Sequence, residues 1–178
     1  MYLVSIYFDE KTNEQIKRLI QKTAGECGNT FMLDGNVPPH ITISAFETKK
    51  EQEVIEGLKA CAAQLSQGKL QWVSVGTFLP HVLYITPVLN EYLHNMAVNV
   101  FETMNGMEDT IIRKCYQPFQ WLPHTTIGKT LTKEQLQKAF SVLQEQFAVF
   151  EGTVTRIGLA KTNPYTELAL FELKEMRE

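Results

Sequence analysis

The sequence predicts an α/β (α+β) fold: two pseudo-symmetric β-α-β-α-β lobes around a central cleft, within one domain spanning residues 1–178. Three observations predict it. Helical periods alternate along the chain with short β-branched and aromatic runs. The segments "PHITI" (39–43) and "PHTTI" (123–127) repeat one another, His124 following His40 by 84 residues (124 − 40), close to half of the 178-residue length. The pairs Thr48-Lys49 and Thr132-Lys133 recur at that same offset, so each histidine is followed at one interval by a helix-start signal. The lobes are expected at approximately 1–80 and 81–178. This is a repeat of supersecondary structure, not a solenoid.

The elements follow in order. The apolar run in "MYLVSIYFDE", broken by Ser5 and stopped by Asp9, reads as a first strand over 2–8. It is too short for a membrane span and lacks the basic start of a signal peptide. Thr12-x-x-Gln15 has the pattern of a capping box, followed by Ile16, Leu19, Ile20 and Thr23 at helical spacing. Thr48-x-x-Glu51 opens a second helix, carrying Val54, Ile55, Leu58, Ala62 and Leu65. Asn90 opens a third, with Leu93, Met96, Ala97, Val100, Phe101 and Met104 on one face. Thr132-x-x-Gln135 opens a fourth, through Leu136, Ala139, Phe140, Leu143 and Phe147. Further strands are predicted over 40–46, 70–78, 82–88, 124–128, 152–160 and 167–173.

Composition narrows the function. A hydrophobic content of 44% and a charged content of 21% are ordinary for a folded globular chain. The net charge of -3 supplies no broad basic field, so an extended nucleic-acid surface is not expected. Any nucleic-acid partner should be a short RNA end held in a local pocket. Cys27, Cys61 and Cys115 form no CxxC and are odd in number. They read as reduced, buried thiols of a cytoplasmic protein. The expectation is a monomer with no membrane association.

The chemistry lies in the two histidine strands. A shuffled chain of this composition would carry two His-x-Thr-aliphatic segments in roughly 0.3% of cases, so the pair is not an accident of residue content. Alternation along a strand puts His40 and Thr42 on one face, with Ile41 and Ile43 on the other. His124 and Thr126 repeat this, with Ile127 toward the core. Thr125 stands where Ile41 stands, and its hydroxyl needs a partner or water. Two imidazoles and two hydroxyls converging on one spot suit a phosphate. One neutral histidine can take a proton while the other, protonated, delivers one. The threonines and Lys129 can hold the non-bridging oxygens, and no metal or other cofactor is needed. Which histidine is acid and which is base is open in the sequence.

"HITISAF" and "HTTIGKT" resemble the paired signatures of the two-histidine (2H) phosphoesterase superfamily, in its 2′-5′ RNA ligase and cyclic phosphodiesterase branch. The resemblance extends over nearly the whole chain. It implies a bilobal α/β fold and metal-independent hydrolysis of 2′,3′-cyclic phosphates or related small cyclic phosphodiesters, in some relatives with 2′-5′ joining of RNA ends. His40, Thr42, His124 and Thr126 match the motif, and Lys129 matches a position where relatives often carry Arg or Lys. Thr125 departs from it.

Trp121, Phe46 and Tyr84 are candidate base-stacking surfaces, as is Phe119, each set against a place in the core. His81 and His94 read as structural. Arg156 points to the cleft or to water, and the sequence does not decide. No HExxH, Cys/His ligand spacing, GxSxG, P-loop or GxGxxG is present, which disfavours zinc hydrolases, serine hydrolases, P-loop nucleotidases and Rossmann enzymes. The competing reading is a module that binds an RNA end or nucleotide in the same cleft without turnover.

Overall fold

The computed structural model describes residues 1–162 and 164–175. The elements are β1 (Tyr2–Phe8), α1 (Glu10–Cys27), α2 (Phe31–Asp34), β2 (Ile41–Glu47), α3 (Glu51–Ala62), β3 (Gly68–Phe78), β4 (Val82–Pro87), α4 (Glu91–Asn105), β5 (Ile111–Ile112), β6 (Thr125–Gly128), α5 (Lys133–Gln146), β7 (Phe150–Lys161) and β8 (Thr166–Glu172). All named strand pairs are antiparallel, in the order β5-β2-β1-β7-β3-β4-β6, with β8 also on β7. Among the described residues, no helix is long and apolar enough to cross a membrane.

This order reads almost the same from both ends once the repeat is applied. β1 corresponds to β4, β2 to β6 and β3 to β7. The pairings, however, do not follow the two sequence halves. β7, from the second half, adds to β1, whereas β3 pairs with β4. The first half of β7 (Phe150–Val154) also pairs with β3, so one long strand joins both lobes. The helices cross over in the same way. α1 packs on α5 and β6, and α3 packs on α4, which lies against β2. The boundary expected near residue 80 is therefore a boundary in sequence, while each lobe is built from both halves.

The core lies between the sheet and these helices. Val4, Ile6 and Phe8 point inward from β1, and Ile16, Leu58, Leu93 and Val100 meet them from the helices, all at 0% exposure. Burying each such side chain contributes about 1.5–3 kcal/mol, enough to make the inward face of each strand unambiguous. Trp72 lies stacked on Phe150 at 4.9 Å, with Phe8 edge-on at 5.0 Å.

The caps partly differ from expectation. Thr132 and Gln135 do form the reciprocal capping box of α5, and Asn90 caps α4 through Leu93 N–H. The cap of α1 is instead Asp9, whose carboxylate accepts from the Thr12 N–H and hydroxyl and from Thr153 N–H. A carboxylate that collects three donors at a helix start outcompetes the Thr12 pattern downstream. Thr48 accepts from Lys50 N–H but sits before the helix, which begins at Glu51. Cys115 is exposed, unlike buried Cys27 and half-buried Cys61, so the expectation of three buried thiols fails there.

Candidate active site

His40 and His124 each occupy the residue immediately before their strand, β2 or β6. Both are half-buried, and both are held by the same local device. His40 Nδ1 lies 2.8 Å from the Pro38 carbonyl, and His124 Nδ1 lies 2.9 Å from the Leu122 carbonyl. A carbonyl oxygen only accepts, so Nδ1 carries the proton in each ring. That leaves each Nε2 unbonded among the described residues, able to accept a proton when the ring is neutral and to donate one when it is charged. The Pro38-Pro39 and Leu122-Pro123 segments explain the repeat, because a residue before proline is held extended and presents its carbonyl to the ring two residues on.

The strands also share a bulge. Val4 pairs with Ser44 and Ser5 with Thr42, which leaves Ile43 extra in β2. Leu83 pairs with Gly128 and Tyr84 with Thr126, which leaves Ile127 extra in β6. The two bulged isoleucines are 84 residues apart (127 − 43), like the histidines. A bulge re-aims the side chains around it. Here it falls after each His-x-Thr pair, so plain alternation holds through Thr42 and Thr126. Ile43 and Ile127, each 1% exposed, lie in the core, and the phase reverses only beyond them.

The bulge overturns the stacking role of Phe46. Simple alternation puts Phe46 on the face of His40, but after Ile43 the phase reverses. Phe46 is fully buried, stacked on Tyr2 at 5.9 Å, with no face open to a base. Tyr84 stays on the cleft face but is nearly buried, packed against Phe78 at 4.5 Å and His124 at 5.4 Å. A Cβ at Gly76 would lie 2.5 Å from its ring, so glycine is what lets the tyrosine lie across β3. Phe119 is 88% exposed and packs on His94, and His81 bonds Leu131 O through Nδ1.

The remaining predicted residues fall as follows. Thr42 is buried, with its hydroxyl 3.3 Å from Ser5 Oγ. Thr126 is half-buried opposite Tyr84. Thr125 faces the core and accepts from Trp72 Nε1 at 3.2 Å, which supplies the partner its hydroxyl needs. Trp121 is half-buried, and its Nε1 donates to the Thr42 carbonyl at 3.0 Å. This bond ties the segment before His124 to the strand after His40. Lys129 is exposed, its ammonium 5.9 Å from the Phe31 ring centroid.

Electrostatics distinguish the histidines. Burial lowers the pKa of both below the usual histidine value, against the opposing pull of the carbonyl bond. His40 is lowered further by the positive charges of His124 and Lys129, which lie within electrostatic reach of its ring. Ser5, Tyr7 and Phe78 join the site unpredicted. Tyr7 lies 6.2 Å from the His40 ring, and Phe78 lies edge-on to His124 at 4.8 Å. The polar alternation of Ser5 and Tyr7 within an apolar strand is the sequence signal for the first two.

Residues 8–165 match the model of the 2′-5′ RNA ligase superfamily. The chain belongs to that family. A Geobacillus sp. (strain WCH70) protein that carries a provisional phosphoesterase name is 26% identical over 128 residues, 69% of each chain. Among solved structures, TT0787 of Thermus thermophilus superposes with a TM-score of 0.64 at 14% identity, covering 99% of both chains. Escherichia coli LigT complexed with 3′-AMP gives 0.57 at 16% identity, covering 97% of both. At these identities the structural likeness is one of fold. Membership in the 2′-5′ RNA ligase superfamily makes this chain an enzyme type that acts on phosphodiester bonds, with the two histidine strands as its repeated feature.

Proposed function

We propose that this member of the 2′-5′ RNA ligase superfamily hydrolyses 2′,3′-cyclic phosphates, or similar small cyclic phosphodiesters, of RNA ends and nucleotides. The observation that carries the reading is the matched pair of Nδ1–carbonyl bonds, which leaves two Nε2 atoms for proton transfer. His40 is the base in ring opening, because burial and then the charges of His124 and Lys129 favour its neutral form. Its Nε2 takes a proton from water as the water oxygen bonds to phosphorus. The bond from phosphorus to one ribose oxygen breaks, and His124 Nε2–H protonates that oxygen. Thr42 and Thr126 donate to the non-bridging oxygens, and Lys129 offsets their charge. With a 5′-hydroxyl in place of water the same step, breaking the bond from phosphorus to the 3′-oxygen, would join the two ends through a 2′-5′ phosphodiester, which is the ligase reaction. LigT's complex with 3′-AMP, a nucleoside monophosphate, supports a nucleotide-sized ligand. We place the reaction in a reducing compartment, the cytoplasm, given three cysteines without a pairing pattern.

The test is hydrolysis of the four 2′,3′-cyclic nucleoside monophosphates, with EDTA present, by wild type and His124→Ala in parallel. Turnover by wild type alone is expected. Equal rates for both proteins would remove the acid-base assignment, and no turnover by either would leave a binding cleft for RNA ends.

A further inference from the structure

We infer that Arg156, beside Tyr7 on the floor of the cleft, forms a second anion subsite that holds another phosphate of the substrate next to the reacting one. This rests on the reading above and narrows its substrate class to molecules carrying two phosphates, the reacting cyclic one and a neighbour. The sequence leaves Arg156 between cleft and water, and strand register resolves it. Tyr7 pairs with Arg156 and Ser5 with Gly158 across β1 and β7. Ser5 reaches the Thr42 hydroxyl and Tyr7 packs on His40, so Arg156 shares the cleft face with both.

The surroundings suit an anion. Arg156 is half-buried, yet among the described residues its side chain makes neither an ion pair nor a hydrogen bond. Glu172 stands opposite it on β8, exposed, and forms no ion pair with it. Tyr7 Oη lies 3.3 Å from Tyr165 Oη, and burial, followed by that bond, keeps Tyr7 a neutral phenol. That bond uses one of the two phenolic hydrogens, so one O–H and the guanidinium remain as donors beside a surface with no carboxylate bonded to it, within reach of the Glu167 charge. Two inter-strand steps separate β2 from β7, which puts the Arg156 Cα about 10 Å from the His40 strand. The long arginine side chain can close part of that distance, and its planar fork matches a phosphate bidentately. A mononucleoside 2′,3′-cyclic phosphate leaves this arginine unused. The neighbouring phosphate has two sources, the internal phosphodiester of an RNA end or the 5′-phosphate of a single nucleotide.

The experiment compares cytidine 2′,3′-cyclic phosphate, its 5′-phosphorylated form and a dinucleotide ending in a 2′,3′-cyclic phosphate, in wild type, Arg156→Ala and Arg156→Lys. Product binding is measured beside turnover, with cytidine 2′-phosphate against cytidine 2′,5′-bisphosphate. Wild type should favour the second phosphate about tenfold, in KM and in Kd. That ratio should fall to near one in Arg156→Ala and recover partly in Arg156→Lys, which retains the charge if alanine perturbs the strand. A preference confined to the dinucleotide assigns the subsite to an RNA backbone, and one shared by the 5′-phosphate assigns it to a phosphate as such. No preference in wild type, or one kept in Arg156→Ala, overturns the inference. If no substrate turns over but the bisphosphate still binds tighter through Arg156, the hydrolase reading falls and the subsite stands.

Discussion

The indole N–H of Trp121 bonds the carbonyl oxygen of Thr42 across 79 residues of chain, at 3.0 Å. It links one motif to the approach of the other, so the distance between the two imidazoles depends on a side chain outside both motifs. Trp121→Phe keeps most of the ring and deletes this donor. The Thr42 carbonyl then loses a partner in a half-buried position, at a cost of about 1 kcal/mol in urea unfolding. We expect turnover to fall about tenfold or more beyond what that stability loss explains, because a small misplacement of acid and base is costly. Unchanged turnover would show that the strands hold the histidines without the bridge.

His40→Ala and His124→Ala should each reduce turnover by a factor on the order of 10²–10⁴. Binding of a nucleoside 2′-phosphate product, followed by calorimetry, should weaken less than tenfold in either variant. A mutant that lost both together would point to a site needed for binding rather than for proton transfer.

The pH profile follows from the direction of both shifts. Turnover needs one histidine neutral and the other charged, and burial draws both below the ordinary value of 6.5. The bell in kcat/KM should therefore centre on the acidic side of pH 6.5. Stability moves consistently. The folded chain binds these two protons less readily than the unfolded chain, so stability is full above pH 6.5 and is lost as pH falls below it toward the lowered folded values. Unfolding midpoints measured between pH 5 and 7.5 test this, and His40→Ala should flatten the slope.

Thr125 and Thr126 are adjacent, yet their substitutions should separate. Thr125→Val strands the Trp72 N–H in the core, at about 1–3 kcal/mol of stability, with little effect on the rate per folded molecule. Thr126→Val should leave stability within about 0.5 kcal/mol and reduce turnover, since its hydroxyl faces the cleft. The reverse pattern would mean that the two faces of β6 are exchanged.

Chelator provides the last check. Saturating EDTA should leave turnover within error of the untreated enzyme, because two imidazoles supply both proton transfers. Loss with EDTA, restored by a divalent metal, would replace this scheme.

The sequence alone carries the double motif, the order of the main elements, the pairing of each histidine with a threonine two residues on, and the family. These are local signals: period two in strands, period 3.6 in helices, and a repeat at one offset. It could not show β5 or α2, which are too short to carry a period, nor the Asp9 cap, whose third donor comes from Thr153. Strand packing is what gives each lobe its third strand from the other half, turns Phe46 into the core through the bulge at Ile43, and sets Arg156 on the cleft face. The physical reason is common to all three. Strand exchange, bulge phase and cleft direction depend on which strand lies alongside which, and that pairing is fixed by hydrogen bonds between residues far apart in the chain.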